Sequence, residues 1–571
     1  MVLIILGINS FFEHPAVALM KDGKLLFAIE DERLTRIKHG KSYTPYKTFV
    51  PFDSIYAALK ETGIHASQVD EIAYSYSSDL HQQALTEYAQ GTRKSSQSEE
   101  EAALFSLKNF REALNGKYEL PKRYSDFLPE NGLANATYRE WDHHLSHAAS
   151  AFFFSGLNEA LIIISDGSGE ISSTSIYTGK NAQINKIASV DLPNSLGFFY
   201  SDFTQLLGFE PFSDEYKVMG LGAYGSDVYR ERLDQILRQD DDGHYVYDTA
   251  KLEELKATVG PRLYGSELTE KDFNLACSVQ RKLERVLVGL ISHYIGKTGL
   301  KDVCLAGGTF LNVLANSRIA EIDGIGEVFI QPASHDAGTA LGAAALSHVH
   351  AGGQPQIEYD SMFLGSEYDS ESIEKALELS NLTYEKIPTE RMPSKIAEVL
   401  HQEKIVGLFR GRMEFGPRAL GNRSIIASPR SAKTREHLNI LKDREMFRPL
   451  APIVTHEEFD TFFVGTRNRY MMFTCKATKR AIDLIPAVVH ADQTCRVQTI
   501  NKADDEFLHQ TLNKFKEKSG VAVLINTSMN VRGKPIDLTP QDALNSFFTS
   551  GIDCLVLNDY FIHNPTKRSD K

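Results

Sequence analysis

A chain of 571 residues is too long for one ordinary hydrophobic core, so two or three domains are expected. Its 42% apolar and 24% charged residues are those of a soluble globular protein, and no apolar run reaches the length of a bilayer span. Lys+Arg 62 against Asp+Glu 75 leaves a net charge of −13, which argues against a general nucleic-acid binder but allows anions to be held where cations gather locally.

The N-terminal residues Met1–Leu6 carry no basic stretch and read as a first strand rather than a signal peptide. Leu3–Gly7 is followed by a strand at Ala16–Met20, a Lys21-Asp22-Gly23 turn and a strand at Lys24–Glu30. Ser95–Glu101 is a polar Ser/Gln/Glu stretch expected to be a loop. In Trp141-Asp142-His143-His144-Leu145-Ser146-His147, a helix continuing through Ala148–Phe154 would place His143 and His147 on one face, a usual spacing for two metal ligands. Such a helix face also occurs with two merely satisfied histidines. A carboxylate at a distant strand end would complete a two-His-one-carboxylate set, and Asp336 is the candidate.

Ala160–Ser165, Ser172–Tyr177 and Ile184–Val190 repeat the opening layout of strand, Gly-rich turn and hairpin, so a duplicated α/β domain is expected. Its turn, Asp166-Gly167-Ser168-Gly169, suits phosphate or metal contact about as well as a plain turn. Further strands are predicted at Asp302–Leu305 and Val328–Gln331, with a small-residue helix at Ala340–Leu346. Gly307-Gly308 at a strand-to-helix junction, with Asn312 behind it, is expected to form an adenosine-binding edge. His350–Pro355 is the best linker, dividing the chain into 1–353 and 354–571.

Between Arg410 and Arg448 ten basic residues face four acidic ones, a local +6 threaded through Gly and Pro. Arginine forks and a lysine converging from loops make a site for phosphate or carboxylate. Pro486–Gln498 alternates like a strand that would present His490, Asp492, Thr494, Arg496 and Gln498 on one face. Val521–Ile525 is predicted to be a buried strand ending in Asn526-Thr527-Ser528, a plausible anion cradle or a polar turn. The five scattered cysteines form no CxxC pair, so zinc ribbons and a disulfide framework are not expected, and a reducing, cytoplasmic setting is.

Several segments together resemble the O-carbamoyltransferases of the nodulation-factor and nebramycin (tobramycin) type. They are Leu6-Gly7-Ile8-Asn9 with His14, Glu30–Arg36 with Lys38-His39, His143–Phe152, Asp214–Leu221, Glu414–Ser424 and Lys442–Pro449. The resemblance implies an α/β chain whose 1–353 region is a duplicated actin/hexokinase-like (ASKHA, Kae-like) domain and whose 354–571 region is a YrdC-like α/β domain. It implies that carbamoyl phosphate binds among Arg418, Arg423, Lys442, Arg448, Arg496 and Ser528, with Asn526 and His490 nearby, and is cleaved to carbamate and phosphate. Carbamate then attacks the α-phosphate of ATP, supplied with Mg2+, to give carbamoyl-adenylate.

In the first domain the resemblance assigns Lys217, Gly307, Gly308, Asn312 and Asp166 to the nucleotide. It assigns His143, His147 and Asp336 to a divalent metal, with iron expected, His14 to the acceptor's proton and Asp227 to the acceptor. The implied partners are carbamoyl phosphate, ATP and a small-molecule hydroxyl acceptor, with no nucleic acid, no membrane and a homodimer as the assembly to look for. Relatives usually place a His-Asp or His-Asn pair with a Ser where this chain has His14-Pro15-Ala16-Val17, which leaves the acceptor open. The alternatives are a threonylcarbamoyl-type tRNA-modifying fusion, a hydrogenase-maturation enzyme, which would carry acylphosphatase and Cys-rich segments, and a non-catalytic kinase-like module.

Overall fold

The computed structural model describes residues 2–10, 13–40, 50–89, 128, 129 and 131–566. The Ser95–Glu101 stretch and the last five residues lie outside them. The chain divides into two compact α/β units, one of Met1–Thr35 with His39–Asp360 and one of Arg36–Lys38 with Ser361–Lys571.

The first unit is built on two five-stranded sheets. In one, Ile4–Asn9 pairs antiparallel with Ala16–Lys21, which pairs antiparallel with Lys24–Glu30. On its other side Ile4–Asn9 pairs in parallel with Glu71–Tyr74, and that strand in parallel with Thr137–Glu140. In the second sheet Glu159–Ser165 has the same neighbours: the antiparallel strands Ser172–Lys180 and Gln183–Asp191, then the parallel strands Val303–Ala306 and Val328–Ile330. Ile4–Asn9, central in the first sheet, and Val303–Ala306, an inner strand of the second, are buried along their whole length.

Asp22-Gly23 is a hairpin turn, with Gly23 at φ 81°. The expected small-residue helix spans Ala337–His350 and packs on helix His143–Phe152. Their approach depends on Gly342, where a Cβ would lie 1.7 Å from the Ser146 carbonyl oxygen. That contact brings the metal-type histidines beside the start of the second helix.

The second unit is centred on a mixed eight-stranded sheet. Its order is Glu385–Lys386, Tyr560–His563, Cys554–Leu557, Val406–Phe409, Arg423–Ala427, Val523–Ser528, Ala451–Thr455 and Gln498–Ile500. Aliphatic side chains of this sheet and of the helices Met392–His401, Glu506–Ser519 and Pro540–Ser550 form one core.

The expected strand over Pro486–Gln498 does not form. A 3-10 turn at Pro486–Val488 is followed by the two-residue strand Thr494–Cys495 and, after a break, by Gln498–Ile500. Gln493 at φ 62° interrupts the extended backbone, so the alternation reflects turns rather than one sheet face. All five cysteines are buried and unbridged. Among the described residues no helix is long and apolar enough to cross a membrane.

Candidate functional site

Two buried groups of polar side chains stand out, one in each unit. In the first, Asp142 caps helix His143–Phe152 by accepting the Leu145 amide at 2.6 Å, and Glu170 accepts the His143 amide at 3.0 Å. His143 and His147 then lie one turn apart with their rings 4.7 Å apart and nearly perpendicular. The Ser75 carbonyl can only accept, so His143 Nδ1 donates to it at 3.2 Å and the ring turns its Nε2 toward the carboxylates.

That Nε2 lies 3.4 Å from Asp166 Oδ2 and 3.7 Å from Asp336 Oδ1, while His147 Nε2 is 3.3 and 3.7 Å from the same two oxygens. One ligand atom from each of the four residues falls within 4.8 Å of the others. Both ring nitrogens of His147 are buried without a hydrogen-bond partner, despite the approach to Asp166. A buried imidazole left in that state beside two carboxylates fits a divalent ion.

Burial would raise the Asp166 carboxyl, but His143 and His147 beside it hold it well below the usual carboxylate range. Asp336 is pushed well above that range, by burial first and then by the charge of Asp166. His144 points elsewhere, to Ser175 Oγ at 2.7 Å.

The structure redistributes the residues expected around a nucleotide. Asp166 joins the metal-type cluster, and its Oδ1 accepts the amides of Gly167 at 2.8 Å and Gly308 at 3.1 Å. The Gly308 amide is thereby committed to Asp166. Gly307 adopts φ 103°, and a Cβ there would lie 2.1 Å from the Ser165 carbonyl oxygen, so this turn needs glycine. Asn312 caps helix Val313–Ala320 and exchanges two hydrogen bonds with Gln280, so its amide braces the fold. Lys217 pairs with Asp214 at 2.8 Å. Asp227, expected on the acceptor side, pairs with Arg285 at 2.9 Å.

His14 sits among groups that sequence reasoning did not connect with it. Its ring stacks on His335 at 4.2 Å and meets the edge of His39 at 4.9 Å. His335 Nε2 is 3.2 Å from Glu30 Oε1, and Arg33 bridges Glu30 and Glu32. His14 and His39 both hold positive φ, at 53° and 62°, and are joined by a bond from the His14 amide to the His39 carbonyl. The sequence signal was the Glu30–His39 segment itself, quoted above without a role.

In the second unit the cations converge. Arg418, Arg444 and Arg448 all act on half-buried Arg496, and Arg444 and Arg448 act on buried Lys442. Burial draws the Arg418 guanidinium down to about 10, and burial followed by the neighbouring arginines draws Arg496 well down. Burial, then Arg444, holds Lys442 well below the usual lysine range. Lys442 Nζ donates to Asn530 Oδ1 at 2.6 Å, to Ser528 Oγ at 3.3 Å and to the Ser528 carbonyl. Ser528 Oγ also bonds Asn530 Oδ1 at 2.7 Å. His490 Nδ1 lies 3.5 Å from Asp492 Oδ1.

Arg423 and Asn526, both expected at this site, are bonded to protein groups in the structure. Arg423 is fully buried, donates to the carbonyls of Arg410, Gly411, Asn422 and Ser366, and lies over Phe409 at 3.7 Å. Asn526 donates to the Ala419 carbonyl and to Gln498 Oε1. Arg444 enters the pocket although nothing in its spacing set it apart from the other arginines of the run.

The Carbamoyltransferase N-terminus family model matches residues 4–345, and the Carbamoyltransferase C-terminus model matches residues 397–564. The chain belongs to the carbamoyltransferase family. As a carbamoyltransferase it is a transferase enzyme. It is 33% identical over 568 residues to nodulation protein NolNO of Sinorhizobium fredii, covering 98% of this chain and 80% of that protein. It is also 33% identical over 604 residues to the uncharacterized protein sll1178 of Synechocystis, covering 98% of this chain and 96% of that one. Among solved structures, full-length HypF in a phosphate- and nucleotide-bound form is similar over 61% of this chain and 55% of that one. Its 14% identity and TM-score of 0.37 are too slight to carry an argument.

Proposed function

We propose that this carbamoyltransferase is an ATP-dependent O-carbamoyltransferase working in two steps, one in each unit. In the second unit, water cleaves carbamoyl phosphate to carbamate and phosphate. A carbamate oxygen then attacks the α-phosphorus of ATP, and pyrophosphate leaves with carbamoyl-adenylate as product. In the first unit an acceptor hydroxyl attacks the carbamoyl carbon, AMP leaves, and His14 takes the hydroxyl's proton. The acceptor is a small molecule such as a sugar or natural product.

The observation that carries this reading is the convergence of half-buried Arg418, Arg444, Arg448 and Arg496 with buried Lys442. Guanidiniums held close together against their own repulsion suit an anionic substrate, and they oppose charge building up on phosphoryl oxygens. Carbamate is short-lived, so forming and using it in one enclosed cationic pocket preserves it.

His143, His147, Asp166 and Asp336 would hold the metal of the first unit, with iron the proposed ion. When bound, it supplies a Lewis acid that polarises the carbamoyl carbonyl. The Ser75 carbonyl holds the His143 imidazole that faces it, and Glu170 holds the His143 backbone amide. The shared strand order of the two sheets supports reading the first unit, to about residue 353, as a duplicated actin-like domain that also binds the adenylate near Lys217 and Gly307. The second unit is read as YrdC-like.

The test is incubation of purified enzyme with ATP-Mg2+ and carbamoyl phosphate, following pyrophosphate release and carbamoyl-adenylate mass. Release that needed threonine and bicarbonate instead of carbamoyl phosphate would assign the chain to threonylcarbamoyl chemistry. Cell extracts added afterwards should show one metabolite heavier by one carbamoyl group.

A further inference from the structure

The loop that carries Arg418 is organised around a single carboxylate oxygen. Glu414 is 2% exposed, and its Oε1 accepts four consecutive backbone amides: Leu420 at 2.8 Å, Gly421 at 3.1 Å, Asn422 at 2.8 Å and Arg423 at 3.1 Å. Successive N–H groups turned to one point form an anion nest, and here the chain's own carboxylate fills it. Gly421 makes this geometry available with φ 124°, a region closed to most side chains, and a Cβ there would also lie 2.2 Å from Leu508 Cδ1.

The carbonyls of the same loop are held from the opposite side. Asn526 Nδ2 donates to Ala419 at 3.1 Å, Gln498 Nε2 donates to Leu420 at 2.8 Å, and the two side chains are bonded to each other at 2.7 Å. The Asn422 side chain ties the far end of the loop to the Arg412 carbonyl at 2.7 Å. Arg418 stands immediately before this pinned stretch, and its guanidinium belongs to the half-buried cationic group around Arg496. Arg418 and Arg496 repel one another, so holding them together requires a backbone that does not relax.

We propose that Glu414 is a positioning residue of the donor site, which templates the 418–423 loop and so holds Arg418 where it meets the anionic substrate. The inference rests on reading the cationic pocket as the carbamoyl phosphate site. Removing the carboxylate leaves four buried amides without their anion, and the loop must rearrange to satisfy them. Glu414→Gln keeps an acceptor oxygen but loses the charge, so it loosens the loop with less damage than alanine.

The test is titration of inorganic phosphate into the full chain by calorimetry, for wild type, Glu414→Gln, Arg418→Ala and the double variant. The expected result is wild-type binding that weakens about 10-fold in Glu414→Gln, with the double variant no weaker than Arg418→Ala alone. Glu414→Asp, which keeps the charge but withdraws it by one methylene, should show the same non-additivity and serves if Glu414→Gln does not fold. Unchanged affinity in Glu414→Gln, or effects that multiply in the double variant, would overturn the inference while leaving the donor-site reading intact. A wild type that binds no phosphate would overturn both.

Discussion

The acid-imidazole cluster of the first unit and the cationic pocket of the second use one device with opposite signs. Each gathers like charges that repel, away from water, on backbone that cannot spread. In the first, Asp166 and Asp336 share two imidazoles, and the cost falls on Asp336, whose carboxyl is driven upward. In the second, Arg418, Arg496 and Lys442 are desolvated together and all drawn downward. Such arrangements destabilise an isolated chain and are relieved by a ligand of the opposite charge. The first suits a cation and the second an anion, and that contrast supports the proposal that activation and transfer lie in different units.

The comparison can be broken at either end. The largest effect is expected from Lys442→Ala, which should lower pyrophosphate release by about 10^3-fold, measured at saturating ATP. Next, burial pushes the Asp537 carboxyl up to about 7, against the pull of Ser546 and then Arg36, with Asp542 and Lys442 also acting on it. A folded-state pKa above the ordinary 3.8 favours the fold fully below about pH 4, and that stability is lost as pH rises through about 7. Urea unfolding should therefore show the wild type losing up to about 4 kcal/mol between pH 4 and pH 8 that Asp537→Asn does not lose. Equal pH slopes in the two proteins would remove Asp537 from the buried charge balance.

Asp166→Asn should weaken metal binding about 10- to 100-fold by equilibrium dialysis, and an unchanged affinity would return Asp166 to the nucleotide. The smallest effect is expected at Asp227, whose partly exposed pair with Arg285 is worth about 0.2–1 kcal/mol. Asp227→Ala should melt nearly as wild type does, so any large loss of transfer in it would point to acceptor contact.

Much of this organisation was readable from residue order. The aliphatic runs, the Asp22-Gly23 turn and the HxxxH helix depend on local patterns, and the strands and helix form where those patterns place them. The partners of Asp166 were not readable, because a strand-end carboxylate looks the same whether it faces a phosphate or two histidines some 20 residues earlier. The contacts of Arg423 were not readable for a related reason: charge counting does not reveal that its guanidinium donates to the carbonyls of Arg410, Gly411, Asn422 and Ser366. The alternation in Pro486–Gln498 failed because turns, with Gln493 left-handed among them, occupy the segment up to Thr494 without altering the polar pattern. The two histidines around His14, His39 and His335, come from segments up to 321 residues away and meet it only in the fold.

The central claim is that activation and transfer occupy different units, and pre-formed carbamoyl-adenylate tests it most directly. Supplied to Lys442→Ala, it should be transferred to an acceptor at close to the wild-type rate. Supplied to the His143→Ala/His147→Ala double variant, it should not be transferred, although that enzyme still releases pyrophosphate from ATP and carbamoyl phosphate. If both variants transferred it, or neither did, the division of labour between the two clusters would be contradicted.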